Sequence, residues 1–208
     1  MAYATITGTK RNMVALKAHG WGLLLTPDTI VRARRALPPG YRYAIDNGAW
    51  GCHQRGVAFD GDGFGELVDL HADGAEWVVV PDIVAGGLDS LAFSLSWLPR
   101  LQGLPLLLAV QDGMSTDDVE PYLGARVGLF LGGSTDWKLA TMRQWGQLAR
   151  RVGCHYHVAR VNTARRIALC QDAGAHSFDG TSASRFAVTT PRLTAAMRQG
   201  HLFGGIDA

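Results

Sequence analysis

Seven short apolar runs alternate with longer stretches of helical spacing along the chain, at residues 21–25, 41–45, 77–80, 105–110, 127–131, 156–161 and 176–178. The runs are nearly continuous in Val, Leu and Ile with no clean polar alternation, so both faces of the strands they predict must be covered. Parallel strands with helices packed outside them meet that demand. The intervening segments supply the helices: Pro27-Asp28 opens one before 30–36, residues 62–72 are amphipathic, and Ser134 or Thr135 caps a run through Arg151. The pattern predicts an α/β fold, for which a doubly wound open sheet and a TIM-type (β/α)8 barrel both serve. Polar residues close many strands at their carboxyl ends, where barrel active sites collect, and this favours the barrel. At 208 residues it is a compact one, since roughly 250 is typical. Its closure is left open, because an eighth strand must come from residues 4–7 or from Leu202-Phe203. No repeat, low-complexity tract or linker divides residues 1–208, so a single domain is expected.

Other classes fall away on composition. No apolar stretch reaches the roughly 18 residues of a bilayer crossing, because Arg100, Gln102 and two prolines interrupt the greasiest region. The first 13 residues have no basic cluster followed by an apolar core, which predicts a cytoplasmic protein rather than a secreted one. Cys52, Cys154 and Cys170 are far apart and form no CxxC pair, so neither a disulfide framework nor a zinc knuckle is indicated.

A net charge of +2 conceals a polarised chain. Residues 1–45 carry seven bases and one acid, 46–136 fourteen acids and three bases, and 138–200 ten bases and two acids. An acidic centre between basic flanks suits carboxylate chemistry beside a polyanion, although solvated helices also carry arginine for solubility alone.

The strand ends supply the chemistry: Asp46 in IDNGAW, Asp82 in VVPDIV, Gln111 in LAVQDG, Gly132-Gly133 in LFLGGS and Asp179 in SFDGTSASR. Singly, each has a structural explanation. Asp-Asn-Gly and Gln-Asp-Gly are turns, Pro-Asp often starts a helix, and Gly-Gly-Ser is a strand–helix junction or a phosphate nest. In a parallel sheet these ends share one rim, so three carboxylates, an amide and backbone N–H groups would converge on one pocket.

That ordered set resembles the guanine transglycosylase superfamily, the queuine tRNA-ribosyltransferases, and most of all their short phage-type relatives that place 7-deazaguanines in DNA. Asp46-Asn47-Gly48-Ala49-Trp50 resembles the family's Asp-Ser-Gly-Gly-aromatic segment, and Val110-Gln111-Asp112-Gly113 its Val-Gln-Gly-Gly. Asp82 falls where the family keeps a base-recognising aspartate, and Gly132-Gly133 where it keeps a glycine pair. Phe178-Asp179 followed by Arg185 keeps the Phe-Asp-x5-Arg spacing around the nucleophile. The Cys-x-Cys-x2-Cys…His zinc insert of the tRNA enzymes has no counterpart here, and only 29 residues follow Asp179. Asn47 and Ala49 replace a serine and a glycine. These departures favour a compact enzyme working on DNA, with tRNA as the close variant.

The resemblance implies base exchange, guanine out and a preQ0- or preQ1-like base in, with no metal and no cofactor. Retention at C1′ takes two displacements through a glycosyl ester. Asp179 is the expected nucleophile, its other reading being an ion pair with Arg185. Asp46 is the expected acid/base. Asp82 would accept from the guanine N1–H and amino group, while O6 would accept from the Gln111 amide and a Gly132 or Gly133 N–H. Trp50 would stack on the ring, unless it merely packs under a loop, with Val158 near the opposite face. Arg185 would meet a backbone phosphate, and Arg150, Arg151, Arg165 and Arg166 are expected to touch phosphates of a duplex whose guanosine swings out. A homodimer or a helper protein that opens the duplex is compatible with this reading. Cys154 and Cys170 read as core. His155 and His157 are expected to alternate, one facing the barrel interior and one the helices, which would exclude a paired metal site. Arg160 and Asn162, at the end of that strand, are placed near substrate. Two other readings stand beside this one: a barrel handling a small phosphorylated metabolite, and a degenerate barrel that only binds.

Overall fold

The computed structural model describes residues 1–199. Eight parallel strands form a closed barrel in chain order: β1 (Ala2–Thr5), β2 (Gly22–Leu25), β3 (Tyr43–Ile45), β4 (Val78–Val79), β5 (Leu106–Val110), β6 (Val127–Leu131), β7 (Tyr156–Val158) and β8 (Ser177–Asp179). Closure comes from the N-terminus, where Ala2 pairs with Phe178 and Tyr3 with Asp179. The alternative eighth strand, Leu202-Phe203, lies outside the described residues. The helices are α1 (Lys10–Ala18), α2 (Ala49–Arg55), α3 (Gly61–His71), α4 (Gly87–Trp97), α5 (Thr116–Val119), α6 (Thr135–Val152), α7 (Ala164–Asp172), α8 (Ser182–Arg185) and α9 (Thr190–Arg198).

The barrel fits into a short chain because two crossovers are abbreviated. A five-residue helical turn, Asp28–Arg32, joins β2 to β3 where a helix through residue 36 was expected, and α5 is only four residues long. Elsewhere the sequence signals hold. The Ser134 hydroxyl caps α6 by accepting from the Trp137 N–H, and Asp60 caps α3 through the Gly63 N–H.

Strand residues sort into two layers. Ala2, Leu23, Ile45, Val78, Leu108, Leu129, Val158 and Phe178 pack outward against helix residues such as Leu16, Phe64, Trp145 and Ile167. Tyr3, Leu24, Ala44, Trp77, Val79 and Leu107 form a separate cluster inside the barrel, with Phe130 against it. Aromatic rings plug the lower interior, and the strand ends above them are left to polar residues.

The outer layer is tight where α6 meets α7. A Cβ on Gly146 would lie 1.8 Å from the Ala173 carbonyl oxygen, a backbone atom with little room to yield. Alanine is the better helix former by about 1 kcal/mol, yet overpacking against backbone outweighs that. Gly146→Ala is expected to lower stability by about 2 kcal/mol, read as a lower urea midpoint with unchanged slope. Among the described residues no helix is long and apolar enough to cross a membrane.

Candidate active site

The carboxyl ends of the strands surround a cavity of about 760 Å³, lined among others by Asp46, Trp50, Asp82, Gln111, Gly132, Gly133, Arg160, Asp179 and Arg185. The parallel topology produces this convergence, because each strand delivers its last residue to the same rim.

Asp179 ends β8 and is 8% exposed. The backbone N–H of Arg160 donates to its carboxylate at 3.0 Å. Arg160 does so from φ +59°, in the left-handed region, which costs a non-glycine residue about 1–2 kcal/mol. A charge-assisted bond to a nearly buried carboxylate is a physical reason to hold that conformation. The next residue must be glycine: a Cβ on Gly180 would lie 2.2 Å from the Val161 carbonyl oxygen. No ion pair joins Asp179 to Arg185. The Arg185 side chain instead lies exposed at the cavity mouth.

Asp46 directly follows β3 and accepts the Gly48 N–H at 2.7 Å, with Gly48 at φ +80° just before α2. Burial, aided by the charges of Asp179 and Asp82, pushes its carboxyl up to about 7, against the pull of the Gly48 bond. Asp82 is also raised by burial, while its bond from Asn47 pulls the other way. Asn47 accounts for its own departure from serine. Its carboxamide nitrogen spans from Val80 O (2.9 Å) to Asp82 Oδ1 (2.8 Å), and its oxygen accepts the Ala49 N–H. Nothing within a few residues of Asn47 signals this bracing, because Asp82 lies 35 positions along the chain.

Several expected contacts are redirected. Both N–H groups of the Gln111 amide are committed, to Ile83 O at 2.9 Å and Ser90 Oγ at 2.7 Å. A carbonyl can only accept, which fixes the amide orientation and turns the oxygen toward the cavity. Gln111 therefore offers an acceptor where a donor was expected. The Gly132 N–H is likewise taken by Val110 O, so of the two glycine amides only that of Gly133 makes no hydrogen bond among the described residues. Val158 faces the helix layer and is fully buried there, because outward and inward residues alternate along β7. It lines no part of the cavity. Trp50 stands at the mouth, 43% exposed, but the Arg160 guanidinium lies 4.4 Å from its ring centroid and His53 stacks on it at 5.8 Å. Arg160 also donates to Gly133 O. It thus links the loops after β3, β6 and β7 across the cavity, a clamp that placing it near substrate did not anticipate. Asn162 holds the Ser182 N–H through its side-chain oxygen.

The basic residues divide by helix polarity. In a barrel each helix runs back from the site, so the last turn of α6 puts Arg150 and Arg151 at the far end. Arg151 pairs there with Glu120 at 2.6 Å, and Arg150 lies against Gly174 before β8. Neither reaches the mouth. Arg165 and Arg166 lie in the first turn of α7, at the site end. Lys138 is buried under the end of β7, where it donates to Ala159 O, and burial lowers it to about 8.

Asp112 occupies the Gly-Gly-Ser junction. Its carboxylate accepts the Ser134 N–H at 2.6 Å and the Ser134 hydroxyl at 2.5 Å, filling the place a phosphate would take at the start of α6. His155 and His157 do not alternate. Residues two apart share a strand face, and both bond the Ser177 hydroxyl. Their shared face removes the argument against a metal, but among the described residues no group of three or more His, Cys, Asp or Glu could hold one.

Fold and site together define a (β/α)8 barrel with an acidic cavity at its carboxyl-end mouth. No protein-family model matches the chain, and no curated protein matches it in sequence. Solved structures do match in shape. The 3-hexulose-6-phosphate synthase of Salmonella typhimurium is 14% identical with a TM-score of 0.56, over 96% of this chain and 99% of that one. The triosephosphate isomerase of Bartonella henselae is 12% identical with a TM-score of 0.55, over 95% and 98%. The BexX/CysO complex of Amycolatopsis orientalis gives 18% and 0.56, over 96% and 86%. At such identities the likeness establishes the TIM barrel and leaves the chemistry to the residues.

Proposed function

We propose that this chain is a transglycosylase that exchanges guanine in DNA for a 7-deazaguanine base of the preQ0 or preQ1 kind. The observation that carries the reading is the pairing of two unlike carboxylates in one cavity, the nearly buried Asp179 held by the Arg160 N–H and Asp46 with its proton retained to about pH 7. Retaining glycosyl transfer asks for such a pair. The Asp179 carboxylate attacks C1′ as the C1′–N9 bond breaks, and Asp46 passes its proton to the departing guanine. The incoming base then loses its proton to Asp46 and displaces the aspartyl ester, which regenerates both groups.

Base selection follows the donors and acceptors left uncommitted. Asp82 and the Gln111 carbonyl oxygen accept from N1–H and the exocyclic amine, and the Gly133 N–H donates to O6. Trp50 contacts the base only if Arg160 leaves its ring, for which a DNA phosphate is a competing partner. The phosphorylated-metabolite reading is disfavoured by Asp112 in the phosphate place.

The test offers labelled guanine or preQ0 with duplex DNA, single-stranded DNA and tRNA. Label entering DNA supports the proposal, label entering tRNA alone moves it to the tRNA variant, and label entering neither overturns it in favour of a binding-only barrel. The arginines give a separate check. Arg165→Ala with Arg166→Ala is expected to flatten the dependence of log K on log salt by about 1–2, whereas Arg150→Ala with Arg151→Ala leaves the slope unchanged.

A further inference from the structure

Beneath Asp179 a hydrogen-bonded chain runs down the barrel interior. His155 Nε2 lies 2.7 Å from Ser177 Oγ, the same oxygen lies 2.8 Å from His157 Nδ1, and His157 Nε2 lies 3.6 Å from Asp179 Oδ2. His157 is fully buried, stacked on Phe130 at 4.9 Å and against Trp77 at 4.7 Å. Among the described residues its Nε2 is buried without a hydrogen-bond partner, and Asp179 is the acceptor it faces. The base-exchange scheme uses neither histidine and makes no use of Ser177.

We propose that His157 is a positioning residue for Asp179, held by the Ser177–His155 pair in the tautomer that directs Nε2–H at the Asp179 carboxylate. The hydroxyl carries one hydrogen, so at most one of the two imidazoles can face it through a bare nitrogen. With Nε2–H toward Asp179, Nδ1 accepts from Ser177, which in turn accepts from His155 Nε2–H. The opposite polarity aims a bare nitrogen lone pair at a carboxylate in a dry interior, which electrostatics disfavours. Burial lowers both imidazoles, His155 to about 3, so the chain orients Asp179 without adding a cation that would blunt its nucleophilicity. The geometry stands alone; the catalytic consequence rests on the transglycosylase reading.

The experiment is 15N NMR of histidine-labelled protein near pH 7, joined to exchange kinetics. The expected spectrum shows His157 protonated at Nε2 and bare at Nδ1. Ser177→Ala should lose that single tautomer, and Asp179→Leu should move the Hε2 resonance upfield. In kinetics, His157→Leu is expected to lower kcat roughly tenfold with KM unchanged, and His157→Gln, which keeps a donor, to restore most of it. A His157 proton on Nδ1, or no response of its signals to Asp179→Leu, would overturn the proposal even if exchange occurs. A wild-type protein that shows the expected spectrum but no exchange would sink the transglycosylase reading and leave the positioning contact standing. Equal loss in both His157 variants, with folding intact, would deny the positioning role.

Discussion

Asp179→Asn is expected to abolish base exchange, by at least ~10³-fold, while the protein stays folded. The amide keeps the shape of the carboxylate and can still accept the Arg160 N–H through its oxygen, so far-ultraviolet circular dichroism and the melting temperature should change little. What it cannot do is form an ester with C1′. Wild-type protein mixed with DNA and no incoming base should yield a denaturation-resistant adduct by mass spectrometry, and Asp179→Asn should yield none. Exchange at the wild-type rate in this variant would remove the covalent mechanism, and an adduct mapping to another residue would move the nucleophile.

Asp46→Asn should push activity and stability in opposite directions. Its carboxyl holds a proton to about pH 7 in the folded cavity, whereas an unfolded aspartate releases it near pH 4. Between those values the native state binds more protons, so this residue's contribution lowers stability as pH rises through the window. Asparagine keeps an acceptor for the Gly48 N–H and has no charge to desolvate. The variant is expected to be about 4 kcal/mol more stable than wild type at pH 8 and nearly equal to it at pH 4, checked by urea unfolding at both. Exchange should fall roughly 10²–10³-fold, with the wild-type inflection near pH 7 lost from the rate profile. A variant that is less stable at pH 8 would show that the fold does not raise the Asp46 carboxyl above its ordinary value.

Much of the site was legible before any coordinates because parallel strands read out in order. Asp46, Asp82, Gln111, Gly132, Gly133 and Asp179 each lie at or within three residues beyond the carboxyl end of a strand, and the cavity gathers all six. What failed was the assignment of roles that depend on partners. Gln111 and Gly132 looked like donors until Ile83, Ser90 and Val110 were seen to hold their N–H groups. Arg150 and Arg151 were misplaced although α6 was delimited nearly to the residue, because charge was counted along the chain without following the helix to its far end. The shared face of His155 and His157 was available from strand periodicity, and only their common bond to Ser177 required the third dimension.

The sequence by itself determined the alternation of covered strands and helices, the cap at Ser134, and the polar strand ends, because each depends on spacing and chemistry within a few residues. The tertiary structure decided that β1 closes on β8, that Asn47 braces Asp82, that Arg160 reaches Trp50, and that Asp112 fills the phosphate place. Those outcomes join segments far apart in the chain, and hydrogen-bond donors and acceptors in a buried space are allotted by position, which no local pattern encodes.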